Sequence, residues 1–219
     1  QDLATAEGIT DVGSRDRWVG IVISVYSLAQ FIFTPILGSF SDRMGRRPIL
    51  MFGLISNTIF FTVFGLSGSL TMAVIARFLA GAGNGNIAVA RAYIGDISEP
   101  EDVAKRMGMI GAAFGLGFMI GPFIGGVLSD PAASIGSPFD GQIWIDHPYL
   151  LPCLFSSALS LISFVLAITR LPESLPEENR RSSEDSVLNE LRGMFSKIAG
   201  VMKFPTISSL VSINFLFLM

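Results

Sequence analysis

The 219-residue chain is half hydrophobic and only 15% charged, and its mean hydropathy is +0.58. Soluble domains carry about 25% charged residues, so this chain has too little polar surface to cover a water-facing globule. Its net charge of −3 gives no basic surface for nucleic acid, and one Cys and one His exclude a disulfide framework and a His/Cys zinc site. We therefore expect an all-α integral membrane protein that has no metal, no cofactor and no nucleic-acid partner.

Stretches with few or no charged residues predict the membrane-spanning helices. Five such stretches are long enough to cross a bilayer, given a helical rise of about 1.5 Å per residue. Two of them adjoin, and the Gly- and Ser-containing segment 65–69 divides them. The predicted spans are residues 18–40, 48–66, 70–92, 107–129 and 148–169.

The distribution of Lys and Arg between the loops predicts the orientation of these spans. Basic residues lie in segments 41–47, 93–106 and 170–203, whereas the opposing loops, 65–70 and 129–148, contain none. Loops rich in Lys and Arg stay on the cytosolic side of a membrane. We therefore expect the three basic segments to be cytosolic.

The two ends of the chain predict that it is part of a longer protein. It begins without Met, and its last apolar run, 204–219, stops at the final residue. Before that run, segment 171–203 contains apolar residues at helical spacing, which predict an amphipathic helix at the membrane interface between two bundles; a solvated linker with chance periodicity is the alternative. The apolar residues are Val187, Leu188, Leu191, Met194, Phe195, Ile198 and Met202.

The turn between the first two spans contains the pattern Gly38-x-x-Ser41-Asp42-Arg43-x-Gly45-Arg46-Arg47. Gly38 lets helices approach, and Gly45 can adopt a positive φ. Asp42 can pair with a cation or accept a hydrogen bond at a helix N-terminus, and the arginines can contact acidic groups. An ordinary basic turn is the alternative, but few such turns combine both glycines with the aspartate.

Two more patterns follow in chain order. The third span contains Arg77-x-x-x-Gly81-x-Gly83, and the fourth contains Gly117-x-x-x-Gly121-Pro122-x-x-Gly125-Gly126. The three patterns resemble motifs A, B and C of the major facilitator superfamily, in that family's order. The run Asn86–Asp96 is similar to the tetracycline-exporter-like branch.

The resemblance implies a bundle of inverted three-helix repeats that works by alternating access. It implies that residues 1–170 form an N-terminal half without its first helix, and that 204–219 begin the C-terminal half. The pattern Gly38-x-x-Ser41-Asp42 has an echo at residues 126–130, where Gly126, Ser129 and Asp130 stand. The echo supports the repeat, although chance is the alternative.

Arg77 is the one charge well inside a predicted span, where an unpaired cation is costly. Arg77, Asn84 and Arg91 recur at seven-residue spacing, so they predict one polar stripe facing a central cavity. Snorkelling of Arg77 to the interface is the alternative. Candidate substrate or coupling residues are Arg77, Asn84 and Gln30.

Glycines at four-residue spacing predict close helix packing or sliding, and an internal proline permits bending. The residues concerned are Gly81, Gly85, Gly117, Gly121, Gly125 and Pro122.

Acidic residues and arginines both lie at the predicted cytosolic ends of the spans. We expect a latch that stabilises the outward-open state. Its members are Asp42, Arg43, Arg46, Arg91 and Asp96.

The resulting functional prediction is a secondary transporter that exports a small organic solute in exchange for protons, with the bilayer and the C-terminal half as partners. The proton coupling rests on the resemblance, because no acid lies deep in a predicted span and Asp96 is at an edge. Uniport or symport of a sugar, organic anion or metabolite, and a non-transporting scaffold or receptor, are alternatives. We expect no enzymatic activity, because no nucleophile–base pair or phosphate loop is present.

Overall fold

A computed structural model describes most of the chain, and the described residues form helices joined by short turns, with no strand among them. The helices are α1 Val12–Met44, α2 Arg46–Gly65, α3 Leu70–Gly83, α4 Asn86–Ile97, α5 Val103–Leu128, α6 Gln142–Asp146 and α7 Leu150–Arg170, followed by a 3-10 turn, Glu177–Asn179. The described residues are 4–5, 7–9, 11–129, 131, 142–147 and 149–180. The predicted amphipathic helix, the apolar run 204–219 and Asp130 lie outside them.

Among the described residues, five helical stretches are long and apolar enough to cross a membrane: α1, α2, α5, α7, and α3 together with α4 as one stretch, Leu70–Ile97. This confirms the predicted all-α, multi-pass membrane fold. The first helix begins earlier than its apolar stretch because Asp11 caps it. The Asp11 carboxylate accepts a hydrogen bond from the Ser14 backbone N–H at 2.8 Å, which lowers the pKa of Asp11.

Small residues determine how α1, α2 and α3 pack. A Cβ atom added at Gly81 would collide with the backbone carbonyl oxygen of Tyr26, and one added at Gly85 would come within 2.9 Å of the Thr34 Cα atom. On the other side of α3, Gly83 lies directly against Ser56. These glycines let the helix backbones approach more closely than any larger residue allows.

The predicted third span is two helices rather than one. Asn84 and Gly85 separate α3 from α4. Glycines at alternate positions from Gly81 to Gly85 lower the helix propensity of this segment, and the Asn84 backbone N–H donates to the carbonyls of Ala80 and Gly81, which caps α3. The helix that carries the stripe predicted for Arg77, Asn84 and Arg91 is interrupted at Asn84. Arg91 lies exposed on α4, beyond the interruption.

The fifth helix differs from the other membrane-spanning helices because none of its residues is buried within the described part of the chain. Phe118, for example, is 78% exposed. Nothing described lies within 4 Å of a Cβ atom built at Gly117, Gly121 or Gly125, so the close packing expected of these glycines is not found there. The helix continues through Pro122 without a break.

The ends of α1 and α5 share one local geometry. The Ser41 hydroxyl donates to the Gly38 carbonyl at 2.8 Å, and the Ser129 hydroxyl donates to the Gly126 carbonyl at 2.8 Å. The same side-chain bond at the same spacing supports the repeat that the sequence echo predicts. Gly38, in contrast, has no described neighbour within 4 Å of an added Cβ atom, so it does not mark a close helix approach.

Matched alanine variants test this description of packing. We expect Gly81→Ala to destabilise the protein by about 1–3 kcal/mol, because the new methyl group meets a backbone atom that cannot move aside. Gly20→Ala, in α1, has open space and should leave stability unchanged or raise it through helix propensity. Thermal unfolding of the two purified proteins checks this, and equal unfolding temperatures would contradict the packing.

Candidate functional site

The guanidinium of Arg46 connects three helices at one end of the bundle. It pairs with Asp42 at the end of α1, and its Nε lies 3.1 Å from an Asp96 carboxylate oxygen at the end of α4. Its Nη1 also donates to the Ser41 hydroxyl at 2.7 Å. The Arg46 side chain is only 12% exposed, so these acceptors replace the water it has lost. We call this end of the bundle the basic end.

The connection between α1 and α2 is a single residue, and its conformation positions Arg46. Gly45 has a φ of +105°, a backbone conformation that L side chains rarely adopt. A Cβ atom at this position would also lie 2.5 Å from a Glu173 carboxylate oxygen. Only glycine therefore allows both the sharp turn and the approach of this acid.

Glu173, which the sequence analysis did not single out, caps the N-terminus of α2. Its carboxylate accepts hydrogen bonds from the backbone N–H groups of Arg46 at 2.8 Å and Arg47 at 3.2 Å. It also accepts from the N–H groups of Ser174 and Leu175, each at 3.1 Å. The sequence feature that could have identified Glu173 is its position as an acid just after the last predicted span, because an acid can cap the positive N-terminal end of another helix.

Other contacts attach the segment after α7 to the same end. The Ser174 hydroxyl donates to Asp96 at 3.1 Å, and the Tyr93 hydroxyl donates to the Pro172 carbonyl at 3.1 Å. Arg47 donates through Nη2 to the Ile168 carbonyl at 2.7 Å. We call Asp42, Arg46, Asp96, Glu173 and Ser174 the basic-end network.

Three of the five residues predicted for the latch meet in this network: Asp42, Arg46 and Asp96. The structure pairs Asp96 with Arg46. Arg91 is exposed and forms no ion pair with any residue that the structure describes. Arg43 lies in the last turn of α1.

A second group of polar residues lies midway along the α3–α4 span. Asn84 donates to the Tyr26 hydroxyl oxygen, and its own Oδ1 accepts from Asn57 at 3.2 Å. Gln30 donates through Nε2 to the Asn84 backbone carbonyl at 3.3 Å. We call these four residues the mid-span cluster. The helix interruption frees the Asn84 backbone and side chain to hold α1, α2 and α3 together.

Arg77 is surrounded by aromatic rings rather than by acids. Its Cζ atom lies 4.2 Å from the ring centre of Phe64, 5.6 Å from that of Phe61 and 5.8 Å from that of Tyr26. Tyr26 therefore connects Arg77 to the mid-span cluster. Of the predicted substrate residues, Asn84 and Gln30 are in direct contact, and Arg77 joins them through this ring.

A separate apolar cavity of about 590 Å³ lies between α2, α4, α5 and α7. Its lining includes Asn86, Phe114 and Arg170 but none of the predicted substrate residues. The cavity is open where α5 stands away from the rest of the bundle. It therefore belongs to the loosely packed side of the molecule.

Comparison with known proteins places the fold and these motifs in one family. The sequence model of the Major Facilitator Superfamily matches residues 7–219. The chain belongs to this superfamily.

The relatives of this chain include members of the predicted tetracycline-exporter-like branch. The class E tetracycline resistance protein of Escherichia coli is 29% identical over 184 residues, which are 84% of this chain and 42% of that protein. Protein ZINC INDUCED FACILITATOR-LIKE 1 of Arabidopsis thaliana is 33% identical over 196 residues, covering 88% of this chain and 39% of that protein. The chain thus spans about two-fifths of the length of these relatives.

A solved structure gives the same result for the fold. The crystal structure of the human organic anion transporter MFSD10 (TETRAN) superimposes with a TM-score of 0.62 at 27% identity. The match covers 81% of this chain and 38% of that one.

The cap formed by Glu173 gives a direct test of the basic-end network. We expect Glu173→Ala to destabilise the protein by about 1 kcal/mol, because the first N–H groups of α2 lose their acceptor. Glu177→Ala is the control, since the Glu177 side chain is 88% exposed and its ion pair in the described part of the chain is with Arg180, within its own turn. Thermal unfolding compares the two, and an equal effect would argue against the cap.

Proposed function

We propose that the chain is part of a secondary active transporter that moves a small organic solute across a membrane by alternating access. Membership of the major facilitator superfamily supports this, as do relatives named for tetracycline resistance and for organic anion transport. The proposal extends to the whole protein, of which this chain covers the helices with motifs A, B and C.

The observation that carries the proposal is the basic-end network. Arg46 ties α1, α2 and α4 together through Asp42 and Asp96, so this end is closed by charges that separate as the helices move. A carrier needs such a closure at one end while its site opens at the other. We assign the closed basic end to the outward-open state and place it on the cytosolic side, following the loop charges.

The mid-span cluster is the proposed substrate site. Gln30, Asn84 and Tyr26 lie at the depth where carriers of this kind bind their solutes, midway between the two ends of the bundle. Their amide and hydroxyl groups form hydrogen bonds with each other that a solute can replace. Arg77 extends the site through Tyr26.

The open face of α5 is the proposed contact with the other half of the carrier. Gly117, Gly121 and Gly125 follow one another at four-residue spacing and have no described neighbour, so a second helix can approach their backbone closely. Pro122 allows this helix to bend as the halves rock.

Export in exchange for protons is the proposed coupling. The proton carrier is then Asp96, at the edge of α4, or an acid outside the described helices. Flux into proteoliposomes containing the full-length protein, with tetracycline as the first labelled probe, should rise several-fold when a pH gradient is imposed. Flux that ignores the gradient would favour uniport, and binding without any flux would favour a receptor or scaffold.

Breaking the network tests the proposed latch. We expect Asp42→Asn to lower transport about five-fold at equal expression. The reason is that the Asp42–Arg46 ion pair, which is partly exposed, contributes about 1 kcal/mol to the stability of the closed state. Asp102→Asn is the matched control, since the one ion pair that Asp102 forms with a described residue is a surface pair with Arg106 at 3.8 Å. Unchanged flux in Asp42→Asn, or equal loss in both variants, would refute the latch.

A further inference from the structure

Among the residues that the structure describes, no acid pairs with Arg77, a cation inside a membrane-spanning helix. The acidic residues of the described helices stand near helix ends, as Asp16, Asp42 and Asp96 do. Arg77 lies seven residues into α3, away from all of them, and it forms no ion pair with any described residue. A buried charge in this setting requires an anion or water to complete it.

The aromatic rings around Arg77 satisfy only part of what a guanidinium needs. Phe64, Phe61 and Tyr26 stabilise its positive charge through cation–π contact. They offer no carboxylate or carbonyl oxygen to its N–H groups, and its Nε is buried without a hydrogen-bond partner among the described residues. The five donors of an arginine are arranged to bind a carboxylate through two parallel hydrogen bonds.

A second buried polar atom lacks a partner nearby along α2. Asn57 donates to Asn84, but its Oδ1 has no donor in the part of the chain that is described. Asn57, Phe61 and Phe64 stand at four- and seven-residue spacing, so they share one face of α2. That face therefore presents an unused acceptor beside the rings that surround Arg77.

We propose that Arg77 and its aromatic neighbours bind the carboxylate of an organic anion, which names the substrate class of the transport site. The assignment rests on the proposed function. The carboxylate takes the free N–H donors of Arg77, an apolar or aromatic body packs on Phe61 and Phe64, and a donor group on the solute reaches Asn57. Phe61 and Phe64 favour an organic anion over a small inorganic one, since their rings offer apolar surface.

A pair of ligands that differ only in charge tests the assignment. The probes are 1-naphthoate and its uncharged amide, 1-naphthamide, and the readout is the ligand-dependent rise in Tm of the full-length purified protein. We expect naphthoate to stabilise the wild type and naphthamide to do so far more weakly. In Arg77→Gln the apparent Kd for naphthoate should rise about tenfold or more, while the response to naphthamide stays the same.

Two further variants keep the result interpretable. Arg77→Lys retains the charge but loses the fork, so it should fold and bind naphthoate several-fold more weakly than the wild type. Arg106→Gln removes an arginine whose side chain is 40% exposed and which, of the described residues, pairs with Asp102 alone, so its naphthoate affinity should equal that of the wild type.

Three results would overturn the anion assignment: no stabilisation of the wild type by naphthoate, equal stabilisation by the amide, or an unchanged naphthoate Kd in both Arg77 variants. An acid from another part of the protein that occupies Arg77 would give the first of these. The binding readout is independent of flux. Asp42→Asn should therefore lose transport and keep naphthoate binding, so failure of the latch and failure of the anion site give different outcomes.

Discussion

The ion pairs of Arg46 are the interaction on which the basic end depends. One guanidinium, largely removed from water, meets Asp42, Asp96 and a serine hydroxyl, so the ends of three helices share one set of charges. Removing one partner from such a group leaves the others incompletely compensated, which costs more than an isolated surface pair. Gly45 makes the arrangement possible, because its positive φ brings the start of α2 beside the end of α1 and admits Glu173.

Packing away from this end divides the bundle into a tight side and an open side. The backbones of α1, α2 and α3 meet at glycines, where contact is close and offers no room for a larger residue. The glycines of α5 meet nothing that the structure describes. Since closely packed helices move together and loosely packed ones move separately, α1–α3 are suited to act as a rigid unit while α5 changes its neighbours.

Much of the fold could be predicted from sequence because hydropathy and chain length alone identify helices that cross a membrane. The family could be predicted because the glycines and charged residues around Asp42 and Gly121 stand at the spacing of its motifs. Contacts over long separations could not be read this way: Glu173 meets Arg46 across 127 residues, and Tyr26 meets Asn84 across 58. The interruption at Asn84 was also missed, since a two-residue break leaves the hydropathy of Leu70–Ile97 unchanged.

The two buried arginines show why residue type alone does not reveal a role. Arg46 and Arg77 carry the same charge, but Arg46 stands where chain ends bring carboxylates together, so its donors are used within the protein. Arg77 stands among aromatic rings, which stabilise its positive charge but do not replace an oxygen atom as the acceptor for its N–H groups. A cation whose donors are all hydrogen-bonded within the protein makes the surrounding structure more rigid. A cation with unused donors can still bind an anion. The difference between closure and binding therefore follows from where the acceptors lie.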